Sequence, residues 1–202
     1  MPLVIETFIH AVEPYRERPS REEVLSKLGG PLDTCLRNLL GADRLDFFPE
    51  ARTRMLDFEH GKEVTMKPFD GARELLVSLQ SKNVRLGIWT GRDRWSAERI
   101  LQAQELSPFF GPFVCGDDLP THKPDPAGLL LAIESVGARP SEAVFMGDAD
   151  ADVVGGHAAG VHTIFLHHGR PAPAHIHAKA SEVFRDPREA YAALERHFAR
   201  SP

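Results

Sequence analysis

From Lys67 onward, short apolar runs alternate with stretches of helical spacing, and this rhythm limits the chain to few folds. Val84–Trp89, Phe113–Cys115, Ala143–Gly147 and Thr163–Leu166 read as strands. Between and after them, helices are expected near Asp70–Gln80, Arg94–Gln104, Pro126–Val136, Asp150–Ala159 and Arg188–Phe198. Strands bounded by helices of this length argue for a parallel sheet with helices on both faces, a Rossmann-like α/β core. Residues 1–66 have a different texture. Ser20 and Glu23 form a capping box for a helix that stops at Gly29-Gly30. Pro31 can open the next helix, with Leu32, Leu36, Leu39 and Leu40 on one face, and Pro49–Gly61 reads as a third. The expected organisation is a small helical domain over 1–66 and an α/β core over 67–202.

At 202 residues the chain can bury one good core, or a core and a small accessory domain. A net charge of −5 without a basic run argues against nucleic acid as a partner. No apolar stretch reaches membrane-spanning length, and the start lacks the basic flank of a signal peptide. The only cysteines, Cys35 and Cys115, form no CxxC pair. A reducing, cytoplasmic location is therefore the default expectation.

The sharpest local signal is Val144-Phe145-Met146-Gly147-Asp148-Ala149-Asp150-Ala151-Asp152. An apolar run that ends in Gly-Asp reads as a buried strand delivering a carboxylate to the sheet's C-terminal edge. With a helix starting just beyond, Asp148 and Asp152 can converge at one strand-to-helix junction. Paired carboxylates repel unless a cation lies between them, and an all-oxygen site suits Mg²⁺. A helix-capping Asp148 beside a solvated Asp152 explains the two residues equally well when they are taken alone.

Ligands of open parallel sheets sit beyond the carboxyl ends of the strands. There the chain places Thr90-Gly91-Arg92 after the first strand and His122-Lys123-Pro124 after the second. A hydroxyl, a backbone amide, an ammonium and a carboxylate-held Mg²⁺ are what a phosphoryl group needs. Singly, Thr90 reads as a helix cap, Arg92 as a surface cation and Lys123 as a solvated loop charge. Jointly, each at a strand end, they favour an anion site.

These motifs resemble the haloacid dehalogenase superfamily, in particular its phosphatases with a small helical cap, such as the phosphoglycolate phosphatase-like group. Thr90 matches the second motif, Lys123 in His-Lys-Pro-Asp-Pro the third, and Gly147-Asp148 with Asp152 the fourth. Asp152–Gly160 resembles the helix that follows the acidic motif, and residues 1–66 resemble the cap. The resemblance implies Mg²⁺-dependent hydrolysis of a small phosphorylated metabolite through an aspartyl-phosphate. It makes Thr90 and Lys123 catalytic, puts Thr90, Gly91, Arg92 and Lys123 on the substrate, and gives the metal to Asp148 and Asp152, directly or through water. A phosphomutase would use the same core groups, whereas a metal-free dehalogenase has no use for clustered carboxylates.

The superfamily's first motif, a strand followed by Asp-x-Asp that carries the nucleophile, has no match ahead of the cap-like residues. Asp148 and Asp150 have that spacing, but Asp148 is assigned to metal, and Asp117-Asp118 lies in a loop. In relatives this strand is central, so its loss exposes two edges, and each buried unpaired backbone group costs on the order of 1–3 kcal/mol. Several of them rival a whole domain's stability of about 5–15 kcal/mol. Three explanations compete. The preferred one is that Met1 is an internal methionine of a longer chain. Otherwise residues 2–9 fill the slot as a strand, although Leu3, Thr7/Phe8 and Ala11/Val12 are spaced as a helix. The third is a non-catalytic relative that binds phosphate or Mg²⁺. Without the motif, the chain as it stands is expected to be inactive. Specificity is expected from the cap, with the Gly29-Gly30-Pro31 turn as one candidate. His167, His168, His175 and His177 in a Pro-rich loop are read as unliganded rather than as a transition-metal site.

Overall fold

The computed structural model describes residues 2–28, 32–60, 66–171 and 173–199. The Gly29-Gly30-Pro31 turn lies outside them. The chain divides into two compact units, Met1–Val64 and Thr65–Pro202. The first unit is helical: α1 (Pro2–Val12), α2 (Arg21–Lys27), α3 (Leu32–Leu40), a 3₁₀ turn over Ala42–Phe47, and α4 (Phe48–His60). Ile5, Phe8, Ile9 and Val12 recur at three- and four-residue steps, and all four are buried. Their stripe packs with Val24, Leu36, Leu39, Leu40, Ala51 and Met55 into one core. Residues 2–9 are thus helix, as their spacing favours, and do not form a strand. The Ser20 hydroxyl accepts the Glu23 N–H at 3.1 Å and starts α2.

The second unit runs α5 (Ala72–Ser81), β1 (Ile88–Trp89), α6 (Arg94–Ala103), β2 (Phe113–Val114), α7 (Ala127–Ser135), β3 (Val144–Gly147), α8 (Asp150–Ala158), β4 (His162–Leu166), α9 (Ala174–His177), β5 (Glu182–Phe184) and α10 (Pro187–Ala199). Among the described residues every strand pairing is parallel. The architecture is the α/β arrangement read from the alternation, with two additions, α9 and β5. The helix expected to start near Asp70 begins after Gly71, which holds φ at +82°. Such a backbone suits a residue without Cβ.

The strands form two ladders, β1-β2 and β3-β4-β5, with no hydrogen-bonded pairing between them among the described residues. They nevertheless share cores on both faces. On one face Val84 and Leu86 pack with Val144 and Met146 against Leu75, Leu79, Ile164 and Leu194. On the other, Trp89 and Phe145 pack with Leu129, Ile133 and Val161. The edges of β1 and β3 therefore border one hydrophobic layer without closing it. This explains why the extended run from Val84 pairs as a ladder only at Ile88–Trp89. Two backbone hydrogen bonds join it to the β2 side: Leu86 C=O accepts from Gly111 N–H, and Thr90 N–H donates to Val114 C=O, each at 2.9 Å. Alternation along a strand then turns Gly87 and Trp89 to the other edge. No helix among the described residues is long and apolar enough to cross a membrane.

Candidate active site

The C-terminal ends of β1, β2 and β3 carry the polar groups of interest. β1 runs into Thr90-Gly91-Arg92. The Thr90 hydroxyl accepts the Arg92 N–H at 3.1 Å, an arrangement that leaves the hydroxyl proton to an incoming acceptor. The Arg92 guanidinium reaches the Met66 Sδ at 3.6 Å. After β2 the chain passes through Cys115-Gly116 to Lys123, whose peptide bond to Pro124 is cis. Trp89, Thr90, Gly91, Cys115, Gly116, Thr121, His122 and Lys123 all line one depression. Gly116 donates its N–H to the Arg92 carbonyl at 2.7 Å. A Cβ on Gly116 would come within 2.4 Å of the Gly91 oxygen, so these loops meet backbone to backbone.

Lys123 is held from several sides. Its Nζ donates to the Trp89 carbonyl at 2.9 Å and to Asp152 Oδ1 at 2.7 Å. It also lies 4.4 Å from the centroid of the Trp89 ring, a cation–π geometry. The Trp89 ring fits there because both flanking helices have glycine where they touch it. A Cβ on Gly128 would fall 2.3 Å from Trp89 Nε1, and one on Gly155 would fall 2.6 Å from Cη2.

Asp152 is 5% exposed, and both its oxygens are engaged. Oδ1 takes Lys123, while Oδ2 accepts the backbone N–H groups of Asp148 and Ala149 at 3.1 and 3.0 Å. The same carboxylate therefore closes the turn between β3 and α8 and anchors the lysine. Asp148, by contrast, presents an exposed side chain, and its carbonyl accepts from Arg170 Nη2 at 3.0 Å. Arg170 also pairs with Asp150 at 2.8 Å. Thr90, Gly91 and Lys123 thus share one depression, and the Lys123–Asp152 pair links it to the acidic turn. The Arg92 guanidinium bonds to Met66.

Three contributors are not singled out by the sequence. Trp89 reads as one more strand residue, because the glycines that admit its ring lie far along the chain. Arg170 sits in a loop whose conspicuous residues are histidines; of these, the His167 and His177 rings lie 5.9 Å apart and tilted by 57°, and His167 Nδ1 lies 3.0 Å from the Arg170 carbonyl. The third is Asp118, which binds Arg94 with both oxygens, at 3.2 and 2.6 Å, and accepts the Cys115 N–H at 2.7 Å. Burial pushes the Asp118 carboxyl up, but the Cys115 N–H and Arg94 bonds outweigh it and hold the group below its ordinary value. The same pair raises Arg94 above its usual range. Burial pushes the Cys115 thiol up to about 11, although Arg94 opposes it.

A model of the haloacid dehalogenase-like hydrolases matches residues 1–166. The chain belongs to this family. It is 30% identical over 162 residues to the pyrophosphatase PpaX of Halalkalibacterium halodurans, covering 80% of this chain and 74% of that one. With the phosphoglycolate phosphatase of Pseudomonas syringae pv. syringae it shares 34% identity over 127 residues, 56% of this chain and 47% of that protein. Among solved structures, a haloacid dehalogenase-like hydrolase of Streptococcus pneumoniae has the same fold, with a TM-score of 0.77 at 20% identity over 96% of this chain and 90% of that one.

Members of the haloacid dehalogenase-like family with phosphatase activity generally use Mg²⁺. The donor set here is all oxygen: one exposed carboxylate, Asp148, beside one already engaged, Asp152. Mg²⁺ commonly takes one or two carboxylates and completes its shell with water and phosphate oxygens, so these residues fit it. Asp148, the exposed carboxylate, would be the group free to bind such an ion directly, and Asp152 would act through water. Among the described residues no group of three or more His, Cys, Asp or Glu forms a protein-only cage.

Proposed function

We propose that the chain forms the cap (residues 1–66) and core (67–202) of a cytoplasmic Mg²⁺-dependent phosphatase, which hydrolyses a small phosphate monoester through an aspartyl-phosphate. The Thr90 hydroxyl and the Gly91 amide bind phosphoryl oxygens. Lys123 neutralises their charge, as a positioned ammonium does in phosphoryl transfer. Arg92 adds positive charge from the same loop. Asp152 orients the ammonium by accepting its N–H hydrogen bond at Oδ1, and Asp148 would hold the metal. Mg²⁺, when bound, withdraws charge from the phosphoryl oxygens. The observation that carries this reading is Lys123 Nζ joining the end of β1, at the Trp89 carbonyl, to Asp152 at the start of α8.

The edges of β1 and β3 share a core without pairing with each other among the described residues. One observation favours a second reading, a non-catalytic phosphate- and Mg²⁺-binding relative. Among the described residues, the only Asp-x-Asp at a strand end is Asp148–Asp150, and Asp148 is taken by the metal. A protein extended at its N-terminus by an apolar segment ending in Asp-x-Asp separates the two. Phosphate release from p-nitrophenyl phosphate that needs Mg²⁺ and disappears with Asp148→Asn supports the enzyme. A folded extended protein that binds phosphate and releases none leaves the binding protein.

A further inference from the structure

The two loops that line the depression are not independent. Arg94, the first residue of α6, reaches across to the loop after β2 with Nε and Nη2, while Nη1 pairs with Glu98 on its own helix at 3.6 Å. Nε and Nη2 grip Asp118 at 3.2 and 2.6 Å, and Nη2 also donates to the Phe113 carbonyl at 3.0 Å. Its carbon lies 4.8 Å from the centroid of the Phe113 ring. The Arg94 backbone N–H donates to Asp117 at 2.9 Å, so consecutive acids hold one arginine by side chain and main chain. Asp118 then turns inward to the Cys115 N–H at 2.7 Å. Immediately beside this knot, Gly116 N–H bonds to Arg92 C=O at 2.7 Å and Thr90 N–H to Val114 C=O at 2.9 Å.

We propose that Asp118 is a positioning residue for anion binding: through its forked pair with Arg94 it sets the spacing between the Thr90–Gly91 groups and the Lys123 ammonium. The loop from Cys115 to Lys123 contributes no regular element, so its course depends on such ties. A two-point carboxylate–guanidinium contact fixes orientation as well as distance, which a single-point ion pair does not. An isolated, half-exposed pair contributes little, but this one is locked to backbone donors and a carbonyl on both sides. What the loops bind rests on the phosphatase reading. That they are coupled through Asp118 does not.

The test compares wild type, Asp118→Asn and Arg94→Lys by two readouts: inorganic phosphate affinity by calorimetry with Mg²⁺ present, and amide hydrogen exchange by NMR. Loss of a charged hydrogen bond predicts about tenfold weaker phosphate binding in Asp118→Asn. Thr90 and Gly116 amides should exchange about tenfold faster by the same reasoning, while Ile164 and Phe165 in β4 are unchanged. Arg94→Lys keeps the charge but loses the fork, and should reproduce both effects. Unchanged Thr90 and Gly116 exchange overturns the proposal, as does acceleration that extends equally to β4, the mark of a general loss of stability. Wild type that takes up no phosphate contradicts the phosphatase reading instead, and the exchange arm then decides alone.

Discussion

Asp152→Asn isolates the pair on which the site is built. The substitution keeps the shape and leaves an amide oxygen able to accept the Asp148 and Ala149 N–H groups, but it removes the charge that faces Lys123 at 2.7 Å. The side chains are 7% and 19% exposed, so the pair is largely out of water. Removing one member of a buried pair costs about 3–5 kcal/mol, mostly because the other charge is stranded. Lys123 is the more exposed member and keeps its Trp89 bond, which places the expected loss near the lower bound, about 3 kcal/mol. That is a large share of a domain stability of roughly 5–15 kcal/mol. With a urea slope of about 2 kcal/mol per molar, the midpoint should fall by about 1.5 M. The assay is tryptophan fluorescence during urea unfolding, because the chain's two tryptophans, Trp89 and Trp95, both lie in the Thr65–Pro202 unit. Adding Lys123→Met should restore much of the loss, since the stranded ammonium is gone. A fall under about 1 kcal/mol, or a double variant no more stable than the single, would show that solvent already screens the pair.

Three further outcomes follow from the same geometry. Gly128→Ala gains about 1 kcal/mol of helix propensity, yet its Cβ meets Trp89 Nε1 at 2.3 Å, and overpacking costs about 1–3 kcal/mol. Calorimetry should therefore show a lower melting temperature, and a rise contradicts the wedged ring. Cys115, its thiol pushed up to about 11 by burial, should resist iodoacetamide at pH 8 in the native protein and react once urea unfolds it. Because its folded value lies above the unfolded one, its contribution to stability is complete below about pH 8.5 and fades as pH climbs toward that folded value. Asp118 has the opposite sign: its carboxyl is held below the ordinary 3.8, so its contribution is complete above that value and lost as pH falls through the lowered one. Acid titration followed by circular dichroism should show a shallower acid limb in Asp118→Asn than in wild type, and identical limbs refute the assignment.

The parts of this molecule written in local spacing were legible from residues alone. The α1 stripe, the Ser20 cap on α2, and the runs that become β3 and β4 each follow from which side chains repeat and which backbone donors need partners. What escaped depends on distant neighbours. β5 is a three-residue strand, Glu182–Phe184, too short to show a period, and it exists because β4 offers it an edge. Val84–Leu86 have the composition of a strand but lack a ladder on the β3 side. The contact of Asp152 with Lys123 spans 29 residues, and no local spacing announces it. Asp117-Asp118 reads as a loop pair until Arg94 is brought against it. Trp89 matters because Gly128 and Gly155 leave room for its ring, a relation no window of sequence contains.

The central claim is that Thr90, Lys123 and Asp148, from three separate stretches, form one phosphate and Mg²⁺ site. Titrating the folded protein with inorganic phosphate in a calorimeter, with and without Mg²⁺, tests it directly. The account predicts saturable one-to-one uptake that strengthens with Mg²⁺, is lost in Lys123→Met, and loses its Mg²⁺ dependence in Asp148→Asn. Uptake that survives Lys123→Met unchanged, or no uptake by folded wild type, contradicts it.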